Sequence, residues 1–204
     1  SGDEVIVPAM TYFSTASMVS YQNAKPVFVD IEEDTFNVNP KEIEKAITKK
    51  TKAIVPVHLF GQVADMDAIM AIAKKHNLYV IEDNAQGIGA THTDREGNKI
   101  KTGGIGHVGS TSFFPSKNLG CYGDGGAIFT NDDELAHSLR GIVNHGMYER
   151  YHHDLVGVNS RLDSLQAVVL DEKLKLLDYY NERRKWAAIR YTQLFAGHDN
   201  IITP

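Results

Sequence analysis

The chain has one cysteine, Cys121, among 204 residues, so it cannot form an internal disulfide framework, which fits a reducing compartment. No stretch approaches the roughly 20 apolar residues of a membrane span, and the first residues do not read as a signal peptide. A formal net charge of −5 offers no basic footprint for nucleic acid. Internal repeats and low-complexity segments are missing too. There is no Cys cluster and no HExxH spacing, and the adjacent His152 and His153 would point to opposite faces of a strand. A metal site is therefore not expected. What is left is a cytoplasmic globular composition, 42% hydrophobic and 23% charged, long enough for one large domain with a real core.

Short β-rich runs alternate with helical ones. Strands are expected over Glu4–Val7, Pro26–Asp30, Ala53–Val57, Leu78–Ile81, Ser110–Phe114 and Gly126–Thr130. A helix over 15–22 has Ser14 as candidate N-cap, and another starts at Asn39-Pro40 with Pro in its first position. A third, over 65–76, carries Met66, Ile69, Met70 and Ala73 at i, i+3, i+4 and i+7, and a fourth spans 132–143 behind Asn131 or Asp132. This rhythm means βαβ crossovers and an α/β fold with a largely parallel sheet. The continuous apolar runs AIVPV and LYVI suit a sheet covered on both faces.

Leu162 to Ala196 reads as one or two long helices with a broad apolar face of Leu165, Val169, Leu174, Leu177 and Tyr180. The expected organisation is a large α/β domain over residues 1–160 and a helical connection over 161–204. The chain opens one step from a strand and closes at Asn200 to Pro204, where another could start. It reads as the middle of a longer protein.

In open α/β sheets ligands bind beyond the carboxyl ends of the strands, and three segments fall there: Met10 to Ser14, Glu82 to Ala90, and SFFPSKNLGCYGDGGA from Ser112 to Ala127. Lys117, in the last of these, is either a solvated loop lysine or a nucleophile. Asp83, in YVIEDNAQGIGA, is either a helix-capping or turn aspartate or a carboxylate held against a cationic ring nitrogen. Gln86 can share that pocket by donating to a ring oxygen. Tyr12 belongs to an aromatic pair at a strand end, which packs in the core or rim or stacks on a flat heterocycle. Ser112 and Ser116 both precede the lysine, where hydroxyls and main-chain N–H groups can hold a phosphate, and the following glycines let backbone approach a ligand. Because the lysine precedes the glycines, the segment is not a GxxxxGK[ST] loop. Taken together, an amine, an acidic partner for a pyridine nitrogen, an aromatic cover and phosphate donors match the needs of pyridoxal phosphate.

GDEVIVPAMTY, VHLFGQVADMD, VIEDNAQGIGA, SFFPSKNLGCYGDGGA and GVNSRLDSLQA resemble, in order, the signatures of the DegT/DnrJ/EryC1/StrS family. The resemblance implies the large domain of a fold-type I pyridoxal phosphate-dependent transferase, acting as an aminotransferase on nucleotide-linked keto-sugars. It implies that Lys117 carries the cofactor, Asp83 faces the pyridine nitrogen, Gln86 lies near the ring hydroxyl and Tyr12 covers the ring. Ser112 then binds the phosphate, and Asn159 reaches the phosphate of the neighbouring subunit's cofactor in a homodimer with active sites at the interface. L-glutamate is the implied amino donor. The wording is most similar to the branch acting on UDP-linked 3-keto amino-uronic sugars. The family pattern also includes a helix and a Gly/Ser-Thr turn before GDEVIVP and a small domain after Ile202, so the isolated chain is expected to hold an incomplete site.

A sugar dehydratase on the same scaffold and a non-catalytic regulatory relative are the alternatives. Dehydratases of the family have histidine at the position of Lys117, which favours transamination here. His58, after AIVPV, is expected to pack or hydrogen-bond near the site. His145 and residues 152–161 read as a mobile contact loop or a solvated one.

Overall fold

Alternation along the strands decides the layering of the computed structural model, which describes residues 2–203; Ser1 and Pro204, the two ends of the expected domain division, lie outside. In β1 (Glu4–Pro8) the consecutive Ile6 and Val7 are both fully buried, and neighbours on a strand point to opposite faces. After β1 come α1 (Ser14–Tyr21), β2 (Lys25–Val29), α2 (Pro40–Ala46), β3 (Thr51–Ile54), α3 (Met66–His76) and β4 (Tyr79–Asp83). Ile6 joins Val29, Ile54 and Val80 against Ile43 of α2 and Met66, Ile69 and Ala73 of α3. Val7 packs with Ala16 and Val19 of α1 on the opposite face. Both faces carry helices, and each fully buried aliphatic side chain contributes about 1.5–3 kcal/mol.

Next follow β5 (Thr91–Thr93) and β6 (Lys99–Lys101), which pair with each other, then β7 (Val108–Ser112) and β8 (Gly126–Phe129). The central sheet runs β2-β1-β3-β4-β7-β8, parallel throughout except for the antiparallel β7–β8 pair. The mostly parallel α/β sheet is thus as expected. α4 (Asp133–Val143), the small hairpin β9 (Met147–Glu149) and β10 (His152–His153), α5 (Ser164–Leu174) and α6 (Leu177–Phe195) complete the chain. Residues 201–203 form no strand.

Helix starts follow side-chain chemistry in three places. Asn39, Asp65 and Asp132 each accept backbone N–H bonds from their helix's first turn. α1 departs from the expected pattern: Ser14 is already helical, and Phe13 precedes it with no side-chain cap. Helix α3 stops at Asn77, whose left-handed φ of 55° lets its N–H reach the last carbonyls. β3 is shorter than the apolar run because Pro56 has no N–H to pair, although Val57 still bridges to Asp83.

The long helical region also differs from its expected packing. Leu170 and Leu177 are buried with Phe113, Leu119 and Cys121, whereas Leu165 is 81% exposed and Leu174 55%. The buried apolar contacts come from Leu170 and Leu177, near the junction of α5 and α6, while most of the apolar stripe faces outward.

Candidate functional site

Because β1, β3, β4 and β7 are parallel, their carboxyl ends share one edge of the sheet. Tyr12 lies four residues past β1, Asp83 ends β4, Ser112 ends β7, and Lys117 follows in the next loop. Asp83 pairs in register with Ser110, which puts Asp83, Ser110 and Ser112 on one face. Glu82, one residue earlier, points the other way.

Asp83 is held at every polar atom. Its Oδ2 accepts from Thr15 Oγ1 at 2.7 Å and its Oδ1 from the Ala85 N–H at 3.1 Å. Its backbone N–H donates to Pro56 O, and its carbonyl accepts from the His58 N–H. Thr15 in turn donates its N–H to Tyr12 O, so the aromatic after β1 is tied to the carboxylate through one residue. Tyr12 itself is 77% exposed.

Gln86 lies three residues on. Its Oε1 accepts from the Phe60 N–H at 2.6 Å, which leaves its amide NH2 to donate elsewhere. Phe60 presents that N–H because its φ of 58° turns the chain within a single helical turn, Leu59–Gly61.

The loop after β7 is closed by Cys121, whose N–H donates to Phe113 O at 2.8 Å. Inside it the Lys117 N–H donates to Phe114 O at 2.9 Å. Ser112 Oγ accepts from the Phe114 N–H at 3.2 Å, which leaves its hydroxyl proton available to a ligand. A side chain at Gly120 would meet Pro115 O at 2.5 Å and Phe114 O at 2.8 Å, so the tight return past Lys117 requires glycine. Lys117 is half-buried, and its ammonium has no carboxylate partner among the described residues.

Asn159 lies elsewhere. It bridges to Asn144, accepts from Arg161 Nε at 2.9 Å, and lines a cavity of about 1300 Å³ along β8, α4 and α6. None of Tyr12, Asp83, Gln86, Ser112 or Lys117 lines that cavity. Five of the six candidates thus lie at the carboxyl edge of the parallel strands, and Asn159 lines a cavity that reaches Ser110 and Thr111 of β7.

A pair behind the site has no counterpart among those candidates. Glu82 and His58 are both fully buried, with His58 Nε2 at 2.8 Å from Glu82 Oε2. Glu82 also accepts from the N–H groups of Gly103, Ile105 and Gly106 at 2.7, 2.7 and 2.6 Å. His58 Nδ1 accepts from the Ala64 N–H, so the ring N–H that faces Glu82 is the one on Nε2. Burial pushes the Glu82 carboxyl up, but the His58 bond and the Gly106 and Gly103 amides outweigh it and hold the carboxyl below its ordinary range. His58 thus hydrogen-bonds behind the site, as expected. Glu82 had a signal in the sequence: a charged residue in the inward register of an apolar strand has to be paired.

The model of the DegT/DnrJ/EryC1/StrS aminotransferase family matches residues 1–204. The chain belongs to that family. Its aminotransferases depend on pyridoxal phosphate. The UDP-2-acetamido-2-deoxy-3-oxo-D-glucuronate aminotransferase of Pseudomonas aeruginosa is 54% identical over 93% of the chain and 52% of its own length. A pleiotropic regulatory protein of Geobacillus stearothermophilus is 52% identical over 100% of the chain and 54% of its own. The crystal structure of S. venezuelae DesV with a ketimine intermediate superposes with a TM-score of 0.89 at 46% identity, covering 96% of this chain and 52% of that one. The chain spans about half the length of the curated relatives it matches.

Proposed function

We propose that this chain supplies the cofactor-binding half of a pyridoxal phosphate-dependent aminotransferase, which moves an amino group from L-glutamate to the keto group of a nucleotide-linked sugar. The observation that carries the reading is the unpaired Lys117 amine on the same sheet edge as the anchored Asp83 carboxylate. The residues fit the cofactor's three demands. Lys117 supplies an amine, Asp83 a carboxylate with a lone pair left on each oxygen, and Ser112 and Gln86 supply donors that the protein leaves unused.

When bound, the cofactor supplies an electron sink for charge developing at the donor's α-carbon. Asp83 would keep a proton on the ring nitrogen by pairing its negative charge with it. The Gln86 amide would donate to the ring oxygen, and the Ser112 hydroxyl to the phosphate. Lys117 Nζ would hold the cofactor and, when not so engaged, would be the general base for the donor's α-proton. Tyr12, whose carbonyl accepts the Thr15 N–H, would cover one ring face. Asn159, away from that edge, is assigned to the neighbouring subunit's cofactor in a homodimer. The name of the 54% identical relative supports a UDP-linked 3-keto uronic sugar as acceptor.

The regulatory name of the 52% identical relative favours testing a second reading, a non-catalytic family member. In the protein that carries this chain, pyridoxal phosphate is expected to give the visible band of a lysine-bound cofactor. L-glutamate should bleach that band, and Lys117→Ala should abolish it. An unchanged band in Lys117→Ala overturns the role of Lys117. A band that glutamate cannot bleach, with no amino-sugar product, favours the regulatory reading, and deoxygenation without amino transfer favours a dehydratase.

A further inference from the structure

We propose that Thr15 is a positioning residue for Asp83, fixing the carboxylate that faces a protonated ring nitrogen; the inference rests on the reading of Asp83 given above. Thr15 Oγ1 donates to Asp83 Oδ2 at 2.7 Å, across 68 positions of sequence, and Thr15 is only 7% exposed. A hydrogen bond to a carboxylate is stronger than a neutral one, and shielding from water strengthens it further. The hydroxyl has little freedom to go elsewhere. Thr15 sits in the first turn of α1 with its N–H on Tyr12 O, and Thr11 Oγ1, at 3.5 Å, can donate to a remaining lone pair of its oxygen.

Nothing else duplicates this contact. The second carboxylate oxygen is held by the Ala85 N–H, Glu82 faces the opposite side of β4, and no Lys, Arg or His pairs with Asp83 among the described residues. Two neutral donors thus orient an anion for which the described residues provide no counter-charge. A cationic nitrogen heterocycle is the ligand class that completes it. Thr15 determines which oxygen is turned, and how far, toward that cation.

The test compares binding of pyridoxal phosphate with binding of its 1-deaza analogue, in which C–H replaces the ring nitrogen. Thr15→Val, which keeps the shape and removes the hydroxyl, should weaken pyridoxal phosphate about tenfold, the loss expected for one hydrogen bond to a charged group. It should leave the 1-deaza analogue within about twofold, because that analogue has no ring charge for Asp83 to meet. Thr15→Ser should restore most of the difference. Equal loss for both ligands means that Thr15 only packs, and no loss means that the hydroxyl is dispensable; either result overturns the proposal. Should Thr15→Val fail to fold, Thr15→Ala carries the same expectation. Asp83→Asn separates the two levels. If it leaves the preference for pyridoxal phosphate over the analogue intact, the reading of Asp83 itself fails. If it erases the preference while the Thr15 variants keep it, only the role of Thr15 fails.

Discussion

His58 Nε2 lies 2.8 Å from Glu82 Oε2, and neither side chain is exposed to water. The two residues also bracket the candidate site. The His58 N–H donates to the carbonyl of Asp83, and the turn that His58 begins presents the Phe60 N–H to Gln86. Glu82 draws in three amides from the loop before β7, so the turn after β3, β4 and that loop meet at one carboxylate. The buried carboxylate behind the site has all its acceptor sites filled.

Glu82→Gln is expected to destabilise the fold by about 3 kcal/mol or more, the range for breaking one side of a buried polar network. A glutamine NH2 would face N–H donors with nothing to accept. The pH dependence follows from the depressed carboxyl. Its folded value lies below the ordinary 4.5, so in that window the unfolded chain holds a proton that the folded one rejects. The contribution is complete above 4.5 and is lost as the pH falls through the folded value. Urea unfolding across acid pH should show this loss in the wild type and a flatter acid limb in Glu82→Gln. Parallel acid limbs would assign the effect to other carboxylates.

The strands and helices were legible because their apolar periodicity is local. Ile6 and Val7, or Met66, Ile69 and Ala73, announce their faces within a few residues. Asp83, Ser112 and Lys117 were legible as strand-end residues once the sheet was taken as parallel. Contacts across long separations were not. Thr15 meets Asp83 only because α1 packs on the face toward which Asp83 points, and Glu82 meets His58 only through the β3–β4 pairing. The outward stripe on α5 and α6 misled for the opposite reason, since periodicity marks an apolar face without saying whether this chain covers it. The β5–β6 hairpin carries too little apolar pattern to be noticed, being three residues a side and mostly exposed.

Gly87→Ala should cost about 1–3 kcal/mol, the usual penalty for forcing a methyl group into a filled site. The added carbon would collide with Asn84 Oδ1 and sit 3.0 Å from His58 Cβ. Asn84 cannot easily retreat, because it is 1% exposed and its Nδ2 donates to Thr102 O. Thermal unfolding checks this. An unchanged midpoint would show that Asn84 has room to move.

Asp132→Ala tests a helix start away from the site. The Asp132 carboxylate accepts from the N–H groups of Glu134 and Leu135, at 2.9 and 3.0 Å. Losing that cap should cost about 1 kcal/mol, and Asp132→Asn should recover most of it. Cofactor binding should stay as in the wild type, so a loss of binding comparable to that of the Lys117 or Asp83 variants would contradict the separation of α4 from the site.

Gln86 permits the sharpest separation of a structural role from a binding one. Its Oε1 holds the Phe60 N–H at 2.6 Å, while its NH2 is left for a ligand oxygen. Gln86→Glu keeps the acceptor and removes the donor; Gln86→Ala removes both. Exchange of the Phe60 amide should therefore stay slow in Gln86→Glu and accelerate in Gln86→Ala. Affinity for pyridoxal phosphate should fall in both, by about tenfold or more in Gln86→Glu, where a second carboxylate replaces a donor. Slow exchange together with weakened binding assigns the NH2 to the ligand. Slow exchange with wild-type binding would confine Gln86 to bracing the turn at Phe60.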